Sequence, residues 1–233
     1  MTDKIPLLLL PGLLCDEKLW APQMEALSGI ADCTVADLTQ QDSFPAMADA
    51  VLATAPAQFA LAGLSMGGYV AQQILRQAPE RVLKLALLDT SARADTEEQT
   101  TRRRGLIELA QKGRFKGVTP RLMPMLIHPH RLEDKKLTDT IIAMAEHVGM
   151  DGFLKQQKAI MGRPDGRPDL PKITVPTLVL CGRQDALTSP ALHEEIHAGI
   201  PGSRLIVIEE CGHLSTLERP AEVNMALREW LRG

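Results

Sequence analysis

Residues 59–70 read Phe-Ala-Leu-Ala-Gly-Leu-Ser-Met-Gly-Gly-Tyr-Val. A short apolar run meets Gly63-Leu64-Ser65-Met66-Gly67, and a helix-like stretch follows at once. A serine between strand and helix sits on a strained turn, its Oγ lifted clear of the backbone. The glycines two residues either side are placed where side chains would collide with the adjoining strand or helix. The Met66 amide opens the helix without an intrahelical acceptor, so it can donate to a developing negative oxygen.

A serine hydroxyl needs an oriented base to become a nucleophile. His213, in Glu209-Glu210-Cys211-Gly212-His213-Leu214, follows the last apolar run and is the best base in the chain. Two carboxylates compete to orient it. Asp185 lies just past the run Leu178–Cys181, and Asp89 ends the run Leu85–Leu88. Asp185 is preferred because it gives the chain order Ser, Asp, His with a short Asp-to-His separation. Asp89 reads otherwise as a cap or a brace for its loop. A second oxyanion donor is expected from the Leu13 amide, in Pro11-Gly12-Leu13-Leu14 after the first apolar run. His193 and His197 share a helix face, but no other ligand is in register for a metal. His128 and His130 flank Pro129 and read as pocket polar groups rather than a metal pair, and His147 reads as a solvated helix residue. No metal and no cofactor is expected.

These groups need a scaffold. Six apolar runs read as buried parallel strands: Ile5–Leu10, Cys33–Asp37, Phe59–Leu64, Val82–Asp89, Thr177–Cys181 and Arg204–Glu209. Helical patterns fall at Trp20–Leu27, Pro45–Ala55 (capped by Ser43 or Asp42), Met66–Gln77, Pro190–Ala198 (capped by Ser189) and Pro220–Leu231. The alternation implies an α/β fold with a doubly wound, mostly parallel sheet, whose ligands gather beyond the strands' carboxyl ends. Between Ala94 and Pro171 the strand signals stop. Helices are expected there over Thr96–Lys112, Phe115–Leu126, Leu132–Val148 and Gly152–Met161. This stretch, 94–171, reads as a helical cap inserted into a core made of 1–93 and 172–233. Leu14, Met123, Met125, His128 and Met161 are candidates to line the substrate pocket beneath it.

The 233 residues, 45% hydrophobic, suffice for one well-buried core plus an insertion. A net charge of −3 offers no basic field for nucleic acid or an anionic membrane, so neither is expected as a partner. Cys15, Cys33, Cys181 and Cys211 are scattered, which fits a reducing cytoplasm better than a disulfide framework. Lys4 followed by the apolar run to Cys15 imitates a signal peptide. Pro11, Gly12, Asp16 and Glu17 break the imitation, and the run reads as strand plus loop. No run approaches a membrane span. With only four Phe, two Trp and one Tyr, a pocket would be aliphatic, which favours an aliphatic substrate.

Together these segments resemble the α/β-hydrolase superfamily over nearly the whole chain. Leu10–Asp16 with Trp20 is similar to its oxyanion loop and following helix, and Gly63–Gly68 to its nucleophile elbow. Pro176–Asp185 matches the acid segment, and Cys211-Gly-His213 with Leu217–Pro220 the histidine loop and last helix. The resemblance implies Ser65, Asp185 and His213 as nucleophile, orienter and base. It implies a serine hydrolase for a small ester, thioester or lactone. The same triad also serves C–C bond hydrolysis, lyase or perhydrolase reactions, and some relatives are ligand sensors. Two departures stand out. Pro11-Gly12 occurs where many relatives have His-Gly, and the sheet is trimmed of the strand pair that many carry first. Serine at 65 argues against haloalkane dehalogenase or epoxide hydrolase activity, which use aspartate at the elbow.

Overall fold

The computed structural model describes residues 4–233. Its centre is a six-stranded, wholly parallel sheet in the order β2-β1-β3-β4-β5-β6. The strands are β1 (Ile5–Leu10), β2 (Ala31–Val35), β3 (Phe59–Leu64), β4 (Val82–Leu88), β5 (Thr177–Gly182) and β6 (Arg204–Ile208). Every residue of β3 and β5 is buried, as expected of strands covered on both faces. At the sheet's edge β2 alternates instead, and it begins at Ala31, two residues earlier than expected, because Asp32 and Thr34 are exposed there and dilute its apolar signal.

Strand alternation divides the core. On one face Leu7, Leu9, Ala60, Ala62, Leu64, Leu88 and Leu180 pack with Leu27, Leu227 and Trp230 of α1 (Ala21–Leu27) and α9 (Pro220–Arg232). On the other, Leu8, Leu10, Leu61, Leu85, Leu87 and Val179 pack with α2 (Phe44–Thr54), α3 (Met66–Gln77) and α7 (Pro190–Gly199). The segment between β4 and β5 holds helices alone: α4 (Glu97–Leu109), α5 (Met123–Leu126) and α6 (Lys135–Met161). A four-residue helix, α8 (Ser215–Glu218), precedes α9.

Several local expectations change. Helix is absent over most of 115–126 because Gly113 and Gly117 adopt left-handed φ of 72° and 58°, leaving only α5. The expected helices 132–148 and 152–161 form the single run α6, interrupted at Gly149, where φ 67° and ψ −176° are not helical. Asp134, accepting from Leu137 N–H at 3.1 Å, caps its start. Ser43 and Ser189 occupy cap positions, yet neither side chain makes the capping bond. A short 3-10 turn, Glu17–Trp20, leads into α1 in place of continuous helix from Trp20. No helix among the described residues is long and apolar enough to cross a membrane.

Register fixes the site's position. Leu10 pairs Gly63, Leu64 pairs Leu88, and Leu88 pairs Leu180, so β1, β3, β4 and β5 end at one rim.

Candidate active site

Ser65 follows β3 at φ 54°, ψ −115° and precedes the first residue of α3. Such a conformation costs a non-glycine residue roughly 1–3 kcal/mol. Burying one leucine side chain contributes about as much. Phe59, Leu61 and Leu64 of β3 are all fully buried, so the packing around the turn readily carries its strain. The two flanking glycines are needed for space. A Cβ on Gly63 would lie 2.3 Å from Gly67 O, and one on Gly67 would lie 2.0 Å from Leu10 O. Ser65 N–H extends the ladder to Leu88 C=O (2.9 Å), and the Thr90 hydroxyl donates to Ser65 C=O (2.8 Å).

His213 comes from the loop after β6. Its Nε2 lies 2.9 Å from Ser65 Oγ and its Nδ1 2.9 Å from Asp185 Oδ2. With Nδ1–H donating to the carboxylate, the Nε2 lone pair faces the serine hydroxyl. Asp185 is itself held by N–H groups of Leu187 and Thr188, both at 2.8 Å, and by the Thr188 hydroxyl at 2.6 Å. Burial opposes charge on both partners. The His213 imidazole is nevertheless held above its ordinary range, because the Asp185 charge and hydrogen bond outweigh that burial. Asp185 is held below its ordinary range for the reciprocal reason, with help from Thr188.

Asp89 lies close by but makes no hydrogen bond to the imidazole. It accepts from Gly182 N–H at 3.0 Å, from Ser215 N–H at 3.4 Å and from the Ser215 hydroxyl. Burial and the neighbouring Asp185 charge push it well above the usual carboxylate range. Of the two acids proposed from sequence, Asp185 is the one in contact with His213.

The loop after β1 lies over the serine. A Cβ on Gly12 would touch Ser65 Cβ at 3.5 Å. Among the described residues neither Leu13 N–H nor Met66 N–H donates to another protein group. Leu14, in the same loop, is buried with φ 58°. The other pocket candidates are dispersed. Met123 is buried in the apolar cluster that also holds Leu14. The Met125 sulfur faces Arg102 Nη2 at 3.7 Å on the exposed side of α4. The buried His128 ring accepts from His130 N–H at 3.1 Å and packs edge-on against that ring. Met161 is half-buried at the end of α6.

Some supporting groups gave no sequence signal. Glu218 of α8 is buried and accepts from the N–H groups of His128, Gly212 and Leu214. Leu126 C=O accepts from His213 N–H and Leu214 N–H at 3.0 and 3.1 Å. The insertion is thus stitched to the histidine loop. His193 is fully buried. Its Nε2 accepts from Thr90 N–H at 2.8 Å, which places the ring proton on Nδ1, 3.2 Å from Ser189 C=O. Burial lowers its pKa to about 4. His197 pairs separately with Ser203 (2.8 Å), so the two helix-mates serve different contacts. His147, though largely exposed, reaches Asp16 Oδ2 at 2.8 Å.

A parallel sheet, a serine on a strained strand-to-helix turn and a histidine joining it to a buried carboxylate together define a class of α/β enzyme. The chain belongs to the Alpha/beta hydrolase family, whose pattern matches residues 7–226, and it is an α/β-fold hydrolase. It is 28% identical over 220 residues to a pimeloyl-[acyl-carrier protein] methyl ester esterase of Neisseria meningitidis, covering 92% of this chain and 69% of that protein. A thermophilic esterase from Thermogutta terrifontis superposes with a TM-score of 0.89 at 31% identity, covering 99% and 90% of the two chains. The enol-lactonase from Burkholderia xenovorans LB400 shares the fold, with a TM-score of 0.88 at 23% identity over 99% and 92%.

Proposed function

We propose that this chain is a serine hydrolase that cleaves a small ester, thioester or lactone through an acyl-enzyme on Ser65. The observation that carries it is the continuous relay from Ser65 Oγ through His213 to Asp185, each step 2.9 Å long. Ser65 Oγ attacks the carbonyl carbon while its proton passes to His213 Nε2. Asp185 stabilises the imidazolium that results. The Leu13 and Met66 amides donate to the oxyanion, and removing one such donor typically costs about 10²–10³-fold in kcat. Collapse expels the alcohol or thiol, which takes the proton from His213; a lactone's alkoxide takes the same proton and stays attached. Water then gives a proton to His213 and attacks the acyl carbon, and Ser65 leaves with that proton. The helical insertion covers the acyl group and limits water. The esterase relatives favour an ester over the other bonds this triad can break.

The test is a panel of p-nitrophenyl esters of increasing acyl length with a fluorophosphonate label. Wild type should turn over a short ester and label at Ser65. Ser65→Ala should do neither while keeping its thermal midpoint. Tight ligand binding without product release would favour a sensor instead.

A further inference from the structure

The loop that lies over Ser65 is held in a bend its own sequence does not favour. Cys15 N–H closes it onto Gly12 C=O at 3.1 Å, and Leu14, third residue of that turn, has φ 58°. Turns with a left-handed residue at this place favour glycine or asparagine, since a Cβ there meets the following carbonyl. A leucine stays in this conformation only where its surroundings over-determine it.

The restraint comes from far along the chain. Leu14 N–H donates to Oε1 of Gln156 at 3.0 Å, across 142 residues. Gln156 is fully buried, on the part of α6 that follows the Gly149 break. Its Nε2 donates to Leu38 C=O, beyond β2, at 3.2 Å. Because both ends of the side-chain amide are engaged, it cannot flip, and its oxygen stays aimed at Leu14. A polar side chain this deep would be destabilising unless paired, so both bonds are needed to keep it there. The neighbouring Gln157, equally buried, points elsewhere: its Oε1 accepts from Arg103 Nη1 of α4 at 2.9 Å.

We propose that Gln156 is a positioning residue for the oxyanion site, holding Leu14 in its left-handed bend so that the Leu13 amide stays presented to the carbonyl bound at Ser65. This rests on the hydrolase function proposed above. The Leu13 and Leu14 amides belong to successive peptide planes of one turn. If the Leu14 plane is released, the residue relaxes toward ordinary φ, and the plane before it turns with it. Oxyanion donors act only when fixed in advance, and a misplacement of about 1 Å is enough to lose on the order of 10²-fold in rate.

Gln156→Met keeps length and apolar bulk while removing both hydrogen bonds, and Gln157→Met makes the same change one residue on. In Gln156→Met, kcat for p-nitrophenyl acetate should fall about 10–100-fold with KM within about threefold. Affinity for an aliphatic trifluoromethyl ketone, which forms a tetrahedral oxyanion on serine, should fall by the factor lost in kcat/KM. Amide hydrogen exchange over residues 12–15 should accelerate. Gln157→Met should leave inhibitor affinity and that exchange at wild-type values. Unchanged exchange in Gln156→Met overturns the anchor, whatever the protein hydrolyses. Faster exchange with undiminished kcat and inhibitor affinity overturns the positioning role, as does an equal loss in Gln157→Met. A wild-type protein that neither cleaves the ester nor reacts with a fluorophosphonate overturns the hydrolase function instead, and the positioning role with it.

Discussion

Asp89 and Asp185 end neighbouring strands of one sheet, and both are buried, yet they behave as opposites. Asp185 faces a group that can become a cation, His213, at 2.9 Å. Asp89 accepts hydrogen bonds from neutral donors of Gly182 and Ser215, and it feels the Asp185 charge more strongly than the opposing His213 charge. Burial alone would raise both carboxyls. It prevails at Asp89 and is overcome at Asp185. Each accepts several hydrogen bonds, so their number does not decide the difference. What separates the two regions is that the imidazole hydrogen-bonds Asp185 directly, whereas its charge reaches Asp89 only through space, too weakly to offset burial there.

The sharpest way to break this contrast is to neutralise each acid in turn. Asp185→Asn presents an amide to Nδ1, which favours the tautomer with its proton on Nε2, so the imidazole no longer accepts from Ser65. By analogy with triad mutants, kcat should fall about 10⁴-fold. Asp89→Asn places a neutral near-isostere where the carboxyl already resists charging. Its loss should stay within about tenfold, the scale of one net hydrogen bond. Equal losses in steady-state kinetics would mean that Asp89 acts on His213 directly, and the distinction between the two acids would fail.

That pair also shows what a linear sequence conceals. Ser65 is legible because its glycines announce a turn that few other residues would tolerate, and His213 because it follows the last strand. The sheet was legible from its buried runs. Asp89 and Asp185 each read as an acid at a strand end, and only the shorter separation from His213 ranked Asp185 first. The physical difference lies in the 185–188 turn, where Thr188 binds Asp185 and directs it toward the imidazole. Gln156 left no trace, and nothing within Leu217–Pro220 marked Glu218 as a supporting group, because a buried polar residue in a helix has the same periodicity as a solvated one. Their partners are 142 and up to 90 residues away. The helix expected over 115–126 failed for a local reason, since left-handed glycines at 113 and 117 outweigh the apolar pattern between them.

The β4 side of the rim carries its own acid limit. His193 is neutral when folded, with a pKa of about 4 against an ordinary 6.5. The unfolded chain therefore binds a proton that the folded chain refuses between these values. Stability is fully present above about 6.5 and declines as pH falls toward 4. The shift corresponds to about 3 kcal/mol. His193→Gln keeps an acceptor for Thr90 N–H but cannot titrate. Its urea unfolding free energy should lose that share of the acid dependence between pH 6.5 and 4. An unchanged slope would show that burial does not hold His193 neutral in the fold.

The smallest effect tests the two carboxylates by sign alone. A carboxyl with a depressed folded pKa contributes stability above its unfolded value and loses it as pH falls; Asp185 is of this kind. A raised one contributes fully below its unfolded value and loses that contribution as pH rises, which describes Asp89. Unfolding free energies of Asp185→Asn and Asp89→Asn, each referred to wild type from pH 3 to 7, should therefore diverge. The Asp185→Asn deficit should grow as pH rises through the carboxylate range, because wild type gains there what the variant lacks. The Asp89→Asn deficit should shrink over the same interval, because the unfolded wild-type chain then ionises a carboxyl that the fold keeps protonated. Slopes of the same sign would mean that the two acids share one titration, so that the charge near His213 belongs to the pair rather than to Asp185.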